Sequence, residues 1–415
     1  MTLKTMPLCA AGIGLAAYLP WAGAEGIFED SKATLELRNF YMSRDFRDGP
    51  GQSKRQEWGQ GFILRYVSGY TPGVIGVGFD AIGMLGVKLD SGRGRSGTGL
   101  LPVQEDGGVP DSYSKAGGTL KVRVSDSELR VGTLIPRWPT LLSNNGRLLP
   151  QTFEGAQLQL KEWKALELTG ATIQDTVYRD QSGATGLALN NKNRRFSGPL
   201  DGGDFNVLGA TYRVGEATDL LAQYAVLEDV YTQRFYGLID RRKGRWGAFT
   251  SDVRFFDSDD RGQARGGSID NRALSLMGTY TLGSHSFGLG YQTMSGNSAF
   301  PYVAGTDPYL VNFVQVGDFA EKNERSWQAR YDVDLACLGV PGLTFMTRYL
   351  EGRDAEVARA QGDGERELDV EVQYVVQAGS LKGLSLRLRS ATYRADFARD
   401  ADDVRVIVSY PLSLL

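Results

Sequence analysis

Residues 384–389 read Leu-Ser-Leu-Arg-Leu-Arg, so that three leucines alternate with a serine and two arginines. Residues 370–376 (Val-Glu-Val-Gln-Tyr-Val-Val) and 404–410 (Val-Arg-Val-Ile-Val-Ser-Tyr) alternate in a similar way. Because successive side chains of a strand point to opposite faces of a sheet, each segment is predicted to be a strand with one apolar and one largely polar face.

The same two-residue period recurs along most of the chain. It predicts further strands over 33–42, 57–68, 74–82, 118–125, 128–135, 155–162, 165–174, 205–214, 218–227, 230–238, 245–256, 272–282, 285–294, 326–336 and 342–350. The connections between them alternate in length. Short turns are predicted at 215–218, 283–285 and 379–383, and long polar links at 90–117, 176–203, 256–270, 295–325 and 352–366.

Tight turns at one end and long loops at the other are typical of outer-membrane barrels. The sequence thus predicts an all-β protein, a transmembrane antiparallel β-barrel with short periplasmic turns and long extracellular loops. At about 10 residues per strand plus connections, a chain of this length forms on the order of 16–18 strands. A barrel that wide leaves an aqueous channel along its axis.

The face that meets water distinguishes such a barrel from a soluble sheet. In a membrane barrel the apolar side chains face lipid and the polar side chains face the lumen. Here arginines and carboxylates crowd the polar faces, and aromatic residues such as Tyr41, Trp58, Trp327 and Tyr410 stand near the ends of the apolar faces. These features favour the barrel over the soluble alternative, a secreted β-helix or sandwich enzyme.

The first 24 residues differ from the rest of the chain. Lys4 is their one charge, residues 8–21 are apolar, and small residues follow at 22–24. This pattern predicts a signal peptide over 1–24 and a single barrel domain over 25–415. Loss of Lys4 changes the formal net charge from −3 to −4, which does not suit a nucleic-acid partner. Cys337 is then the only cysteine, so no internal disulfide is expected.

The sequence offers no convincing catalytic or metal-binding motif. His285 is the only histidine, which excludes histidine-based triads and multi-histidine metal sites. The acidic run formed by Asp252, Asp257, Asp259 and Asp260 is interpreted as a solvated loop end rather than a calcium site. We therefore expect neither enzymatic activity nor a cofactor or metal.

The polar faces define the predicted lumen. Strand parity places arginines inside at Arg38, Arg44, Arg65, Arg123, Arg130, Arg330, Arg387, Arg389 and Arg405. Closure of the barrel brings the first strand beside the last two, so their arginines are expected to form a stripe. The opposing wall is expected to carry Asp332, Asp334, Glu367, Asp369 and Glu371. A guanidinium binds carboxylate bidentately and stays protonated, so such a stripe suits repeated weak capture of a small carboxylate. For any single arginine, the alternative is a wall charge paired to a carboxylate.

Four sequence blocks carry a family resemblance. They are 131–136 (Val-Gly-Thr-Leu-Ile-Pro) with 145–155 (Asn-Gly-Arg-Leu-Leu-Pro-Gln-Thr-Phe-Glu-Gly), 61–73, 326–332 (Ser-Trp-Gln-Ala-Arg-Tyr-Asp) and 408–412 (Val-Ser-Tyr-Pro-Leu). With these blocks the chain resembles the OprD-type outer-membrane carboxylate channels of Gram-negative bacteria along almost its whole length. The resemblance implies an 18-stranded barrel, monomeric or in loose trimers, surrounded by outer-membrane lipid and lipopolysaccharide.

The resemblance also implies inward-folded loops that narrow the pore to an eyelet. The family's third extracellular loop corresponds to 136–153, which makes Arg147 the first candidate for an eyelet arginine. Arg44 and Arg179 fall where the family also has pore arginines. The seventh loop, 295–325, is expected to close the other side with Asp307 as its acid. Arg137 adds a further positive charge to the third loop.

The expected function is therefore substrate-specific diffusion of small carboxylate solutes along an arginine ladder. Cyclic or aromatic acids and amino acids are the candidate solutes, and the overall loop pattern favours the cyclic acids. The main alternative is a general diffusion porin with no solute preference, although a one-sided arginine stripe argues against it. A barrel-shaped adhesin or receptor with a plugged lumen is a further alternative.

Overall fold

The computed structural model describes residues 25–358, 360 and 362–415. The predicted signal peptide, 1–24, therefore lies outside the described residues. The main sheet holds 19 strands, one of which is the two-residue strand Thr185–Gly186 within a loop. The other 18 are β1 Lys32–Phe46, β2 Lys54–Val67, β3 Ile75–Asp90, β4 Ser112–Val124, β5 Ser127–Leu134, β6 Thr152–Trp163, β7 Leu166–Val177, β8 Phe205–Val214, β9 Thr218–Leu227, β10 Tyr231–Gly244, β11 Gly247–Asp260, β12 Asp270–Leu282, β13 His285–Gly296, β14 Arg325–Asp334, β15 Leu343–Arg353, β16 Glu365–Val375, β17 Ser385–Ala395 and β18 Ala401–Ser413.

These strands close into a barrel. Each of them pairs antiparallel with the next along the chain, and β18 returns to pair with β1 from Thr34↔Ser413 to Phe46↔Ala401. Closure leaves none of the 18 described strands with a free edge, which is what hydrocarbon requires of a membrane-spanning sheet. The predicted fold class, an antiparallel barrel of about 18 strands, is confirmed.

The predicted segments fall on the observed strands, but the strands are generally longer. The largest difference is β3, predicted over 74–82 and observed to Asp90. Gly83 and Gly86 interrupt the alternation of side chains there, which hides the strand from a period-based reading. Packing requires glycine at position 86, because a Cβ there would lie 2.2 Å from the ring of Tyr113 on β4.

The faces of the strands are oriented as the parity argument requires. On β17, Leu386 and Leu388 are 49% and 48% exposed on the outer surface. Arg387 and Arg389, which alternate with them, line an internal cavity. The outer surface is therefore apolar and the inner surface charged, the inverse of a soluble protein and the arrangement of a membrane barrel.

The connections differ at the two ends of the barrel. One end carries the chain termini and the turns 68–74, 125–126, 164–165, 215–217, 245–246, 283–284, 335–342 and 376–384. The other end carries the loops 47–53, 91–111, 135–151, 178–204, 228–230, 261–269, 297–324, 354–364 and 396–400. In an outer-membrane barrel these are the periplasmic and the extracellular ends.

Among the described residues, no helix is long and apolar enough to cross a membrane.

Apolar side chains of the long loops pack against the inner wall. Leu148 is fully buried in a cluster with Phe40 of β1 and Ile63 of β2. Trp138, from the same loop, belongs to a second cluster with Phe205 of β8. These contacts hold the loops inside the barrel, where they take up part of its cross-section.

Candidate functional site

The loop 135–151 approaches the barrel wall closely at two glycines of β2. A Cβ at Gly59 would lie 2.8 Å from Leu148 Cδ2, and a Cβ at Gly61 would lie 3.0 Å from the carbonyl oxygen of Leu148. Any side chain at either position would push the loop away from the wall. Arg38 of β1 fixes the loop further, because its Nη1 donates to the carbonyl oxygen of Arg147 at 2.7 Å.

The side chain of Arg147 is held by carbonyl groups. Its Nε donates to Thr98 O at 3.0 Å and its Nη1 to Gly146 O at 2.9 Å. Thr98 is held in turn by the buried carboxylate of Glu57, which accepts the backbone N–H of Thr98 at 2.8 Å. Among the described residues, no carboxylate lies within 4.0 Å of the Arg147 guanidinium. Its charge is therefore positioned by the protein without being neutralised by an ion pair.

Arg179 lies next to Arg147, and Gly99 separates the two side chains. A Cβ at Gly99 would lie 3.4 Å from Arg179 Nε and 3.7 Å from Arg147 Nε, and the backbone there has φ +79°. The backbone conformation thus favours glycine, whereas the space would admit a Cβ in ordinary contact with both arginines. The Tyr113 hydroxyl holds the backbone of Arg179 by donating to its carbonyl oxygen at 3.1 Å.

The electrostatics of this pair are strongly positive. Burial lowers the pKa of Arg147 well below its usual range, and the charges of Arg405, Arg179 and Arg44 lower it further. Burial likewise lowers the pKa of Arg179. An arginine in a protein stays protonated, so these directions measure mainly the cost of burying the two charges, to which repulsion from the neighbouring arginines adds at Arg147. A bound anion relieves that repulsion.

Asp307 joins the two inward loops. Its backbone N–H donates to Leu142 O at 3.0 Å, and its carboxylate accepts a hydrogen bond from Asn144 Nδ2. Burial raises the pKa of Asp307 to about 6, although the charges of Arg179 and Arg147 and the hydrogen bond from Asn144 oppose the rise. The carboxylate therefore lies within the field of both arginines and titrates near neutral pH.

Near the extracellular end of the β18–β1 pair, Arg44 and Arg405 form ion pairs within the protein. Asp403 accepts from Arg44 Nε at 2.8 Å and from Arg405 Nε at 2.7 Å. Arg405 also donates to the carbonyl oxygen of Gln315 at 2.8 Å, and Gln315 Nε2 donates back to Asp403 at 2.8 Å. Arg405 is only 3% exposed, so its position anchors the loop 297–324 to the wall.

Farther toward the turns, arginines of β17 and β1 line a cavity of about 460 Å³. Arg389 Nε lies 2.9 Å from Glu371, and Arg387 Nη2 donates to Gln373 at 2.8 Å. The side chains around this cavity include Arg38, Arg147, Arg387, Arg389, Phe40 and Ile407. The structure thus brings together four of the arginines singled out in the sequence and adds an apolar patch beside them.

The remaining ladder candidates lie elsewhere on the wall. Their partners are Glu36 for Arg65 at 3.3 Å, Glu128 for Arg130, Asp332 for Arg330 at 2.7 Å, and the Tyr70 ring for Arg123 at 4.1 Å. They stand on β2, β5, β14 and β4 and do not line the cavity themselves, although Glu36, the partner of Arg65, does. Arg137 is exposed, and its backbone pairs with Leu142.

The expected acidic wall opposite the arginines is wrong. Glu371 is a cross-strand neighbour of Arg389, not a residue of the far side. Glu367 accepts the backbone N–H groups of the loop residues Val316 and Gly317 at 2.9 and 2.6 Å. Asp334 is at the turn end, where it accepts the N–H of Ala336. Glu367 and Glu371 stand on β16, which pairs directly with β17, so they lie one strand from its arginines rather than across the barrel.

Sequence reasoning missed several residues that shape this region. Arg348 of β15 points inward and lies 2.7 Å from Asp369. Thr98 and Gly99 of the loop 91–111 lie against the side chains of Arg147 and Arg179. Lys115 of β4 donates to the carbonyl oxygen of Tyr178 at 2.9 Å and so supports Arg179. Parity on β15 was available as a signal for Arg348. Lys115 fell in the predicted link 90–117, outside the predicted strand, and nothing local marked Gly99.

Comparison with known proteins agrees with this architecture. Residues 25–414 match the family model described as outer membrane porin, OprD family. The porin-like protein GalP of Pseudomonas putida is 38% identical, with all of both chains covered. The Pseudomonas aeruginosa OccK9 (OpdG) structure is 43% identical at a TM-score of 0.91, and OpdK of the same species, solved with vanillate, is 40% identical at 0.88. In both cases 94% of this chain and 100% of that chain are covered.

These relatives are porins, which are channels rather than enzymes. The family and the closed barrel together place the protein in the outer membrane of a Gram-negative bacterium, as the sequence predicted. The chain therefore belongs to the OprD family of outer-membrane porins.

Proposed function

We propose that this porin is selective for small carboxylate solutes, which pass the Arg147–Arg179 pair and then move along the arginines of β17 and β1. The observation that carries the proposal is the pair itself. Arg147 and Arg179, both half-buried, flank Gly99, and Arg147 has no carboxylate within ion-pair distance among the described residues. Clustered positive charge beside the lumen favours anions over neutral solutes of the same size.

The distribution of free and paired arginines supports stepwise passage. Arg147 offers a strong field at the eyelet, while Arg387 and Arg389 are already shared with Gln373 and Glu371 and so bind a passing anion weakly. Conduction requires that a solute be attracted into each position and also released from it. A positively charged surface with low-dielectric walls also raises the local concentration of anions.

The cavity beyond the eyelet favours acids that carry a ring. Phe40 and Ile407 line it together with Arg38 and Arg387. Phe40 is only 2% exposed, so a flat apolar body contacts mainly Ile407 while its carboxylate meets a guanidinium. The relative OpdK was crystallised with vanillate, a ring acid, which is in keeping with this solute class.

The test is uptake into proteoliposomes of a charged and a neutral solute of the same size, benzoate and benzamide. We expect Arg147→Gln and Arg179→Gln to lower benzoate uptake by about tenfold and to leave benzamide uptake nearly unchanged, since a charge-assisted hydrogen bond is lost. Arg242→Gln is the matched control, because this exposed arginine lies at the turn end of β10. Equal rates for both solutes in the unaltered protein would support the general diffusion porin instead.

A further inference from the structure

Two glutamates meet where the loop 297–324 rejoins the barrel wall. Glu324 is the last residue of this loop, and Glu365 is the first residue of β16. The side chain of Glu324 lies over Gly352 of β15, where a Cβ would collide with Glu324 Oε1. Gly352 is the direct cross-strand partner of Glu365. The two carboxyl groups therefore lie within hydrogen-bonding reach of each other on the inner face of the wall.

Both carboxyl groups are buried. Glu324 is 1% exposed and Glu365 is 3% exposed. One oxygen of each has a donor, because the backbone N–H of Glu321 donates to Glu324 Oε2 at 2.9 Å and the Tyr393 hydroxyl donates to Glu365 Oε2 at 2.5 Å. The other oxygen of each, Oε1, has no donor among the described residues. Two buried acceptors thus face each other and lack a hydrogen atom between them.

The cations nearest to this pair are already bound to other acids. Arg195 lies 2.6 Å from Asp318 and 2.8 Å from Glu321, and Lys192 lies 2.9 Å from Asp318. These four groups carry two positive and two negative charges, so together they leave the pair without compensation. Within the described part of the chain, no arginine or lysine lies within 4.0 Å of either carboxyl group of the pair.

Two ionised carboxylates are unfavourable at such a buried place. Like charges that share a site strongly raise one of their pKa values, and a single proton between two carboxyl groups replaces their repulsion with a hydrogen bond. A protonated carboxyl group is a donor, which both Oε1 atoms lack. Burial raises the pKa of Glu324 well above its usual range, and the charge of Glu365 raises it further.

We propose that Glu324 and Glu365 form a proton-binding site, and that the proton they share fastens the end of the loop 297–324 to the barrel wall. The same loop carries Asp307, which contacts the loop 135–151 through Leu142 and Asn144. Release of its end therefore loosens one side of the eyelet. A metal ion is a poorer occupant, because no third Asp, Glu, His or Cys joins the pair to form a metal-binding group among the described residues.

The charges around the site give the direction of the pH dependence. At low pH the pair holds the proton and the loop is fastened, and as the pH rises through the raised pKa of Glu324 the pair becomes two repelling anions. The surrounding acids add to that repulsion, and the surrounding cations do not remove it because they are paired. The groups around the pair are Asp318 and Glu321 of the same loop, Lys192 and Arg195 of the loop 178–204, Glu367 of β16 and Tyr393 of β17.

Single-channel recording between about pH 7 and about pH 9.5, a range above the usual pKa of a carboxyl group, tests the proposal. In the unaltered protein we expect the frequency of current fluctuations to rise about tenfold over this range, because two like charges replace a hydrogen bond. Glu324→Gln supplies an amide N–H in place of the proton, so its currents should stay quiet throughout. Glu105→Gln, at an exposed position of the loop 91–111, is the matched control and should respond to pH like the unaltered protein.

Infrared spectroscopy detects the shared proton itself. A protonated carboxyl group has a carbonyl stretching band that a carboxylate lacks. The difference spectrum between the unaltered protein and Glu324→Gln at neutral pH should contain this band, and the band should disappear at high pH. If Glu324→Gln does not conduct, Glu365→Gln replaces it in the recordings, because its amide can donate to Glu324 and should likewise keep the currents quiet at high pH.

The proposal is overturned if the currents of the unaltered protein do not change with pH, if Glu324→Gln responds as the unaltered protein does, or if the infrared band is absent at neutral pH. Addition of EDTA at neutral pH distinguishes a proton from a metal ion. More frequent fluctuations on chelation would mean that a metal ion holds the pair, which also contradicts the proposal. Neither measurement uses a carboxylate solute, so the outcome is independent of the proposed selectivity.

Discussion

Arg389 of β17 and Arg405 of β18 are direct cross-strand partners on the inner face of the barrel. Their charges repel, and each is stabilised by its own acid: Glu371 at 2.9 Å from Arg389 and Asp403 at 2.7 Å from Arg405. The two arginines nevertheless differ in their surroundings. Arg405 is buried under Gln315 of the inward loop, whereas Arg389 lines the open cavity. One is therefore an anchor and the other is accessible to a solute.

This difference decides which arginines test the ladder. The double variant Arg387→Gln/Arg389→Gln removes two accessible charges and leaves a polar side chain at each position. We expect uptake of benzoate to fall about fivefold and uptake of benzamide to stay the same, since each exposed charge contributes modestly. The uptake rates of both solutes are measured in proteoliposomes at low and at high salt. Added salt should reduce the difference in benzoate uptake between the unaltered protein and the double variant, because ions screen charges beyond about 8–10 Å.

An equal loss of benzoate and benzamide uptake would mean that the double variant has closed the pore. Unchanged uptake of both solutes would mean that Arg387 and Arg389 are structural charges of the wall and do not bind the solute. Arg405→Gln is a poor substitute in this experiment, because it removes one donor from Asp403 and one from the carbonyl oxygen of Gln315 and so loosens the loop.

Arg147→Ala should both weaken anion capture and widen the pore. The side chain occupies space next to Gly99 and carries an unneutralised charge. We expect carboxylate uptake to fall about tenfold on loss of a charged hydrogen-bond donor and single-channel conductance in simple salt to rise. Planar-bilayer recording and uptake are measured on the same preparation. If uptake and conductance were both unchanged, the role of Arg147 would be structural, holding the loop through Thr98 and Gly146.

The titration of Asp307 predicts a pH dependence of transport. Its pKa is raised from its usual range to about 6, so the carboxyl group is mainly neutral below that pH and charged above it. When it ionises, it neutralises part of the field of Arg179 and Arg147. Uptake of an anion should therefore fall as the pH rises through about 6, roughly two- to threefold.

The solute for this measurement is benzenesulfonate, which stays ionised throughout the range and so does not itself titrate. Asp307→Asn should remove the dependence and hold uptake at the low-pH level. A pH profile in Asp307→Asn identical to that of the unaltered protein would assign the titration to another group.

The sequence predicted the barrel well because the two-residue period is a local property. Alternation along β17 and β18 alone is enough to tell lipid-facing leucines from inward arginines, and the aromatic residues near strand ends mark the interfaces. Where glycine replaces a side chain, as at Gly83 and Gly86 of β3, the signal disappears and the predicted strand ends early.

The candidate site was predictable only in part, because its contacts join distant segments. Parity placed Arg38 inside but did not predict that it would hold the carbonyl of Arg147. Gly99 lies between two arginines in a backbone conformation of positive φ, which its neighbours in the sequence do not predict. Pairing is equally nonlocal: Arg405 depends on Gln315, which is 90 residues away. The sequence shows which residues are charged, but it does not show which of them are paired in the folded protein.

The anchoring of the loop 297–324 by Glu367 gives a last prediction. This carboxylate is fully buried and accepts the N–H groups of Val316 and Gly317, one with each oxygen. Glu367→Gln keeps the shape but replaces one acceptor with an N–H donor facing an N–H donor. A buried donor without a partner costs about 1–3 kcal/mol. The loop should therefore leave the wall more often, and single-channel recordings should show more frequent current fluctuations. Glu162→Gln, at an exposed position near the turn end of β6, is the control and should record like the unaltered protein. Equally quiet currents from Glu367→Gln would mean that Arg405, through Gln315, holds the loop without help from Glu367.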